Sequence, residues 1–255
     1  MPHDLTLAGC APVPIASYLK SLGILRLVAE QVDGAARGSW SAEAFVLRSE
    51  LDADGLRRFL LDEYRPSPIV APWNGGSGFD PKDNREAHEA IAAGEAARFE
   101  ALRPVIGASR ELVARFALAE SPKGDAKAAF LAALRATFPD DALPWIDAAV
   151  LLGADDPRYP PLLGTGGNDG RLDFTNNFLQ RLVELFDPAT GAARRDASAW
   201  LEGALFGTPI PGLLSCAIGQ FAPGAAGGPN ASNGFGGSPI VNPWDFVLAL
   251  EGALV

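Results

Sequence analysis

The chain has 255 residues, 48% apolar and 20% charged, with 31 acidic against 21 basic residues and a formal net charge of −10. This length suits one large domain or two small ones, at ~100–200 residues each, and the apolar share is enough for a sizeable core. The acidic balance speaks against a protein that holds nucleic acid by charge alone, because affinity for a phosphate backbone comes largely from Lys and Arg.

Pro12 and Pro14 lead into Ile15–Glu30, where Ile15, Tyr18, Leu19, Leu22, Leu25 and Ala29 recur at helical spacing and predict a buried amphipathic helix. Trp40–Leu47 alternates and reads as one strand. Asp52 is placed to cap a helix over Ala53–Tyr64, with Leu56, Phe59, Leu60 and Tyr64 on one face and Pro66 and Pro68 as its stop. After a glycine-rich loop, helices are predicted over Arg85–Ala97, Phe99–Ala119, Asp125–Thr137 and Pro144–Leu152, with Pro104 and Gly107 as interruptions. Beyond a soft boundary near residue 154 the chain becomes loop-rich. Leu172-Asp173-Phe174 reads as a short strand, Thr175 or Asn176 as the cap of the next helix, and Phe178–Phe186 and Ala197–Phe206 as helices. Asn242-Pro243-Trp244 opens a final helix. The fold class expected is α+β, predominantly helical with short strands and long glycine-rich loops. Its two regions are a mixed helix/strand region, 1–154, and a loop-rich region, 155–255. The last run, Trp244–Val255, stays apolar to its end, whereas chain ends usually fray into polar residues, so more protein is expected to follow.

Common catalytic motifs are missing. There is no GxxxxGK[ST] phosphate loop, and Gly164-Thr165-Gly166 fails to complete GxGxxG because Asp169 stands at the sixth position. His3 and His88 are the only histidines and have no ligand at metal-binding spacing; His88, in Glu-Ala-His-Glu on a helix, is expected at the solvated surface. No GxSxG elbow occurs, and no pair of carboxylates is marked as a glycosidase pair. Cys10 and Cys216 lie in apolar surroundings without CxxC spacing, which reads as two inert buried thiols in a reducing, cytoplasmic setting. Met1-Pro2-His3-Asp4 does not begin a secretory leader, and no apolar run reaches the ~18 residues of a membrane span. The expectation is a non-enzyme with no cofactor and no bound metal.

Three segments combine glycine with asparagine: Pro72-Trp73-Asn74-Gly75-Gly76-Ser77-Gly78, Gly164-Thr165-Gly166-Gly167-Asn168-Asp169-Gly170, and Pro229-Asn230-Ala231-Ser232-Asn233-Gly234-Phe235. Glycine permits close backbone approach, successive N–H groups can form an anion nest, and the Asn carboxamide both donates and accepts, as base edges require. Trp73 and Trp244 could brace these loops or stack on a ligand. Lys82 and Arg85 follow the first loop and Arg171 the second, where phosphate contacts would sit. Asn176 and Asn177 in Phe174-Thr175-Asn176-Asn177-Phe178 add a fourth polar segment. The candidate DNA-binding residues are therefore Asn74, Gly75, Gly76, Ser77, Lys82, Arg85, Asn168, Asp169, Arg171, Asn176, Asn177, Asn230 and Asn233. The same Asn-Gly and Gly-Gly pairs also make ordinary turns, so each loop has a purely structural reading beside the functional one.

Long stretches of the chain resemble one family. The opening Leu7–Arg26, with Cys10-Ala11-Pro12-Val13-Pro14-Ile15, the segment Tyr64–Gly78, with Ala71-Pro72-Trp73-Asn74-Gly75-Gly76-Ser77-Gly78, and Pro161–Phe178, with Gly164-Thr165-Gly166-Gly167-Asn168-Asp169-Gly170-Arg171-Leu172-Asp173-Phe174-Thr175-Asn176-Asn177-Phe178, are similar to the large subunit of type I-G (formerly I-U) CRISPR surveillance complexes. Ile218–Asn230 and Val241-Asn242-Pro243-Trp244-Asp245-Phe246 are similar to it as well. The resemblance implies a non-catalytic subunit that reads the protospacer-adjacent motif on double-stranded DNA, helps open the duplex and recruits the helicase–nuclease. Its implied partners are the backbone and handle-binding subunits that carry the guide RNA; most sequence recognition falls to guide pairing. Members of the family are longer than this chain. Two alternatives stand beside it: an acidic scaffold that binds only protein partners, and an enzyme holding a phosphorylated ligand in its glycine loops.

Overall fold

A computed structural model describes residues 2–150, 163, 174–228, 230, 231, 234 and 236–255. Its architecture is α+β and predominantly helical. The expected boundary at 154 lies outside the described residues; on both sides of it the described residues contribute to one buried core.

The N-terminal unit is a three-stranded antiparallel sheet: β1 (His3–Leu7), β2 (Arg37–Ser41) and β3 (Ala44–Ser49), in the order β1-β3-β2. Leu7 pairs with Phe45, and Ser41 with Ala44. The single strand expected over Trp40–Leu47 is thus a hairpin, turned at Ala42 with a left-handed φ of 53°. Asn-Gly would have signalled such a turn; Ala42-Glu43 does not.

Helix α1 (Ile15–Gln31) follows Pro14, whose carbonyl accepts from Ser17 and Tyr18 N–H. Its buried face is Ala16, Leu19, Lys20, Ser21, Gly23, Ile24, Leu27 and Val28. This corrects the expected face. Ile15 and Tyr18 are 38% and 40% exposed, with Tyr18 stacked on Trp40. Two neighbouring stripes of α1 are both apolar, and the one that wins carries a lysine. Lys20 is 3% exposed, and its ammonium donates to Gly9 O (2.6 Å), Ala204 O (2.8 Å) and Asp245 Oδ1 (2.7 Å), which satisfies all three of its donors.

Asp52 caps α2 (Ala53–Arg58), accepting from Gly55 N–H at 2.7 Å. A π-turn over Phe59–Glu63 follows. Leu56, Phe59, Leu60 and Tyr64 are all buried, as the spacing predicts. Arg98 fastens this turn: its guanidinium donates to the Leu61 and Tyr64 carbonyls and lies 3.9 Å above the Phe186 ring. Burial lowers the pKa of Arg98 to about 10.

Helices α3 (Glu86–Ala93), α4 (Leu102–Arg115), α5 (Gly124–Thr137) and α6 (Leu143–Ala149) match the expected helical stretch. α4 runs uninterrupted through Pro104 and Gly107. Pro104 sits in its first turn, where no intrahelical N–H bond is lost. Next come α7 (Phe174–Leu185), α8 (Ala197–Phe206) and the short α9 (Pro223–Ala226). The ribbon of β4 (Leu214–Ser215) and β5 (Ile240–Val241) leads into α10 (Pro243–Gly252). Phe174 belongs to α7, not to a strand; Leu172 and Asp173 lie outside the described residues. Among the described residues no helix is long and apolar enough to cross a membrane.

α10 is the central helix, packed against α1, α7 and α8. Asn242 caps it, accepting from Trp244 N–H at 3.0 Å and donating to Trp200 O at 2.7 Å. Glu251 is fully buried on it. Its carboxylate accepts from Tyr64 OH (2.7 Å), Ser67 N–H (2.9 Å) and Arg26 Nη1 (2.9 Å). Burial, with Glu251 alongside, holds the Tyr64 phenol well above its ordinary pKa.

Candidate functional site

The first glycine–asparagine loop grows out of the core. Ile69, Val70, Ala71 and Trp73 are buried, and Trp145 Nε1 donates to Val70 O at 2.9 Å. Past Trp73 the chain turns sharply, Asn74 N–H bonding back to Ala71 O. Gly76 (φ 79°) and Gly78 (φ 94°) then take left-handed conformations that favour glycine. A side chain at Gly78 would also overlap the His88 ring.

Asp83 organises the loop. Its carboxylate accepts the N–H groups of Gly76 (3.1 Å), Gly78 (2.9 Å) and Asp80 (3.1 Å). The anion nest expected of this loop exists, and the chain fills it with its own carboxylate. These N–H groups are therefore engaged internally and do not face an incoming phosphate. Asp83→Ala is expected to remove about 3 kcal/mol of loop stabilisation, from the ~1.5–3 kcal/mol typical of bonds to a charged group. Hydrogen exchange at Gly76, Gly78 and Asp80 measures it, through faster exchange confined to the loop.

Asn176 braces the loop from α7. It lies in the first turn of that helix, is 5% exposed, and donates to Gly76 O (2.8 Å) and Asn84 O (3.1 Å). Neither Thr175 nor Asn176 is the cap; both are inside the helix. The same turn reaches the third loop, since Phe174 packs on Phe221 with ring centroids 4.8 Å apart, just before α9. The second loop runs into α7 directly along the chain. The first turn of α7 thus touches both the first glycine–asparagine loop and the segment that leads to the third.

The candidate residues divide by position. Gly75 and Lys82 are exposed, and Asn74 and Gly76 half-buried. Gly75 lies beside Ser121. Ser77 is fully buried, which removes its side chain from surface contact. Asn177 is half-buried on α7, and Asn230 exposed in the third loop, where Gly227, Gly228 and Gly234 all have positive φ. Asn168, Asp169, Arg171 and Asn233 lie outside the described residues. Trp73 and Trp244 are 4% and 0% exposed, so they brace rather than stack. Trp244 Nε1 donates to Ala197 O. Cys10 is fully buried, its thiol pushed up to about 11 by burial; Cys216 is only half-buried, and burial raises its thiol pKa too.

The expected surface position of His88 is wrong. It is 1% exposed, with its ring against Gly78 and edge-on to Phe79 at 4.9 Å. Four residues of helix with polar neighbours gave no sign that the loop folds down onto it. Burial lowers its pKa to about 4, helped by the positive charges of Arg110 and Arg85. The unfolded chain takes up this proton near pH 6.5 and the folded chain only near 4. Acidification through that window therefore favours unfolding, by about 3 kcal/mol in total at 1.36 kcal/mol per unit. Denaturant melts at pH 7 and pH 4.5 check this: His88→Leu is expected to lose less stability on acidification than the parent.

Neither a protein-family model nor a curated protein matches this chain.

Proposed function

We propose that this chain is the N-terminal part of the DNA-reading large subunit of a type I-G CRISPR surveillance complex. In this reading it is a non-catalytic, cytoplasmic subunit that recognises the protospacer-adjacent motif in duplex DNA. It helps open the duplex and presents a surface to the helicase–nuclease, while the guide RNA held by neighbouring subunits reads the rest of the target. The observation that carries the reading is the bracing of the first glycine–asparagine loop by Asn176 on the first turn of α7, where Phe174 also meets Phe221 on the way to the third loop. A short motif is read by few hydrogen bonds, and these need a rigidly held presenting loop. Asn74 and Gly75, braced from behind by Asp83 and Asn176 and followed by exposed Lys82, meet that need. Sparse basic residues suffice when neighbouring subunits grip the backbone.

One observation favours a protein-binding role on another face. The β4–β5 ribbon exposes Leu214 (64%) and Ile240 (68%), apolar groups suited to a neighbouring subunit. The two roles are compatible in one subunit. The test is co-expression with the other subunits and a guide. The chain is expected to co-purify with the guide RNA and to make duplex binding depend on the motif. A complex that assembles and discriminates motifs equally well without this chain overturns the reading.

A further inference from the structure

Beneath the first glycine loop, several buried polar atoms have no hydrogen-bond partner: Ser77 Oγ, Arg85 Nε, both ring nitrogens of His88, and Ser109 Oγ. Ser77, His88 and Ser109 are 0%, 1% and 0% exposed. Unsatisfied buried polar atoms are rare, and each costs about 1–3 kcal/mol, so several in one neighbourhood call for a ligand. They do share a neighbourhood. The His88 ring edge lies against Gly78, next in the chain to Ser77. Arg85 immediately precedes α3, one turn before His88, and Ser109 lies on the buried face of α4, the helix packed against α3. Arg110, beside Ser109, is exposed and its charge acts on His88, as does that of Arg85. Among the described residues neither Arg85 nor Arg110 forms an ion pair, although the chain carries 31 acidic and only 21 basic residues. Glu86 and Glu89 stand exposed on the first turn of α3 without pairing to either arginine, and Asp83 is committed to the loop N–H groups.

We propose that Arg85 and Arg110, together with Ser77, His88 and Ser109, bind one phosphate-class oxyanion at the underside of the glycine loop. Two guanidinium groups supply charge and forked donors, two hydroxyls donate, and a neutral imidazole donates one N–H. Arg85 is half-buried and Arg110 exposed, so both guanidinium groups are open to solvent on one side. That the phosphate belongs to a DNA backbone rests on the function proposed above; the oxyanion site does not. The experiment is a titration of inorganic phosphate into the full chain with 15N-labelled histidine, following the His88 ring nitrogens with His3 as internal control. A saturable shift at His88 but not at His3 is expected. The Arg85→Gln/Arg110→Gln variant is expected to bind about tenfold more weakly or worse, from the loss of charge-assisted bonds. Melting checks that it folds; Ser109→Ala, expected to weaken binding several-fold, covers the case in which it does not. No saturable shift, or equal affinity in the variants, overturns the site. Adding duplex DNA distinguishes the sources: displacement of phosphate assigns the site to a nucleic-acid phosphate. Phosphate binding without competition by duplex keeps the oxyanion site and removes it from the DNA reading. Motif-dependent duplex binding with no phosphate shift keeps the DNA reading and rejects the site.

Discussion

Glu251→Ala is expected to destabilise the protein by about 3–5 kcal/mol, the usual cost of removing one partner from a buried charged network. The carboxylate it removes is fully buried and takes bonds from the Arg26 guanidinium, the Tyr64 hydroxyl and the Ser67 N–H. The buried Tyr64 hydroxyl and the Ser67 N–H would lose this acceptor, and Arg26 would keep only the main-chain carbonyl of residue 251, Glu30 and Ser67 Oγ. Loss on this scale lowers the melting temperature by about 10 °C for a chain of this size. Glu251→Gln keeps an acceptor for Tyr64 and Ser67 but removes the buried charge opposite Arg26, leaving it only the exposed Glu30, so it should fall between parent and alanine variant. Thermal melts of the three proteins check the order. Equal melting temperatures would show that the network does not hold α10 to α1 and the Tyr64 turn.

The second large effect is steric. Gly23 on α1 and Gly252 on α10 face each other where the two helices cross, and their backbones touch. A Cβ at Gly252 would overlap the Leu19 carbonyl oxygen, and one at Gly23 the Leu248 carbonyl oxygen. Both obstacles are backbone, so relief requires the helices to move apart. Gly252→Ala is expected to cost about 3 kcal/mol, the upper part of the range for overpacking a core. Gly107→Ala in α4 is the matched control, because nothing lies within 4 Å of its added Cβ. There the better helix propensity of alanine should give a gain of about 0.5–1 kcal/mol. Opposite signs for two chemically identical changes, measured by denaturant unfolding, separate close approach from propensity.

These two sites explain which parts of the fold were legible in the sequence. Elements with local punctuation are placed correctly: Asp52 caps α2, Asn242 caps α10, and Pro66 and Pro68 end the Tyr64 segment. Features decided by distant partners are not. On α1 the longer apolar stripe, with Tyr18 and Leu22, loses to one containing Lys20, Ser21 and Gly23. No window around residue 20 shows that Ala204, Gly9 and Asp245 will satisfy an ammonium, or that α10 will come within backbone contact of residue 23. In the final apolar run, Trp244, Phe246, Val247, Leu248 and Leu250 are buried against surrounding helices.

The candidate site divides in the same way. The glycines of the first loop announce positive φ, and Gly76 and Gly78 have it. The partner of the nest, Asp83, lies five to seven residues downstream of these glycines and was not singled out, because one aspartate in Asp80-Pro81-Lys82-Asp83 resembles an ordinary turn residue. Asn176 bonds to Gly76 across a hundred positions, so its role as a brace comes only from the tertiary fold. His88 and Arg110 had no local mark at all.

In the proposed function, Asn74 reads the protospacer-adjacent motif from a loop whose braces do not themselves touch DNA. The direct measurement is the affinity of the assembled, guide-loaded complex for duplexes with and without the motif, for the parent chain and for Asn74→Ala. With the Asp83–Asn176 brace intact, Asn74→Ala is expected to reduce discrimination by about tenfold, the loss of one good base contact at ~1–3 kcal/mol, while leaving motif-free binding unchanged. Undiminished discrimination by Asn74→Ala would contradict the claim.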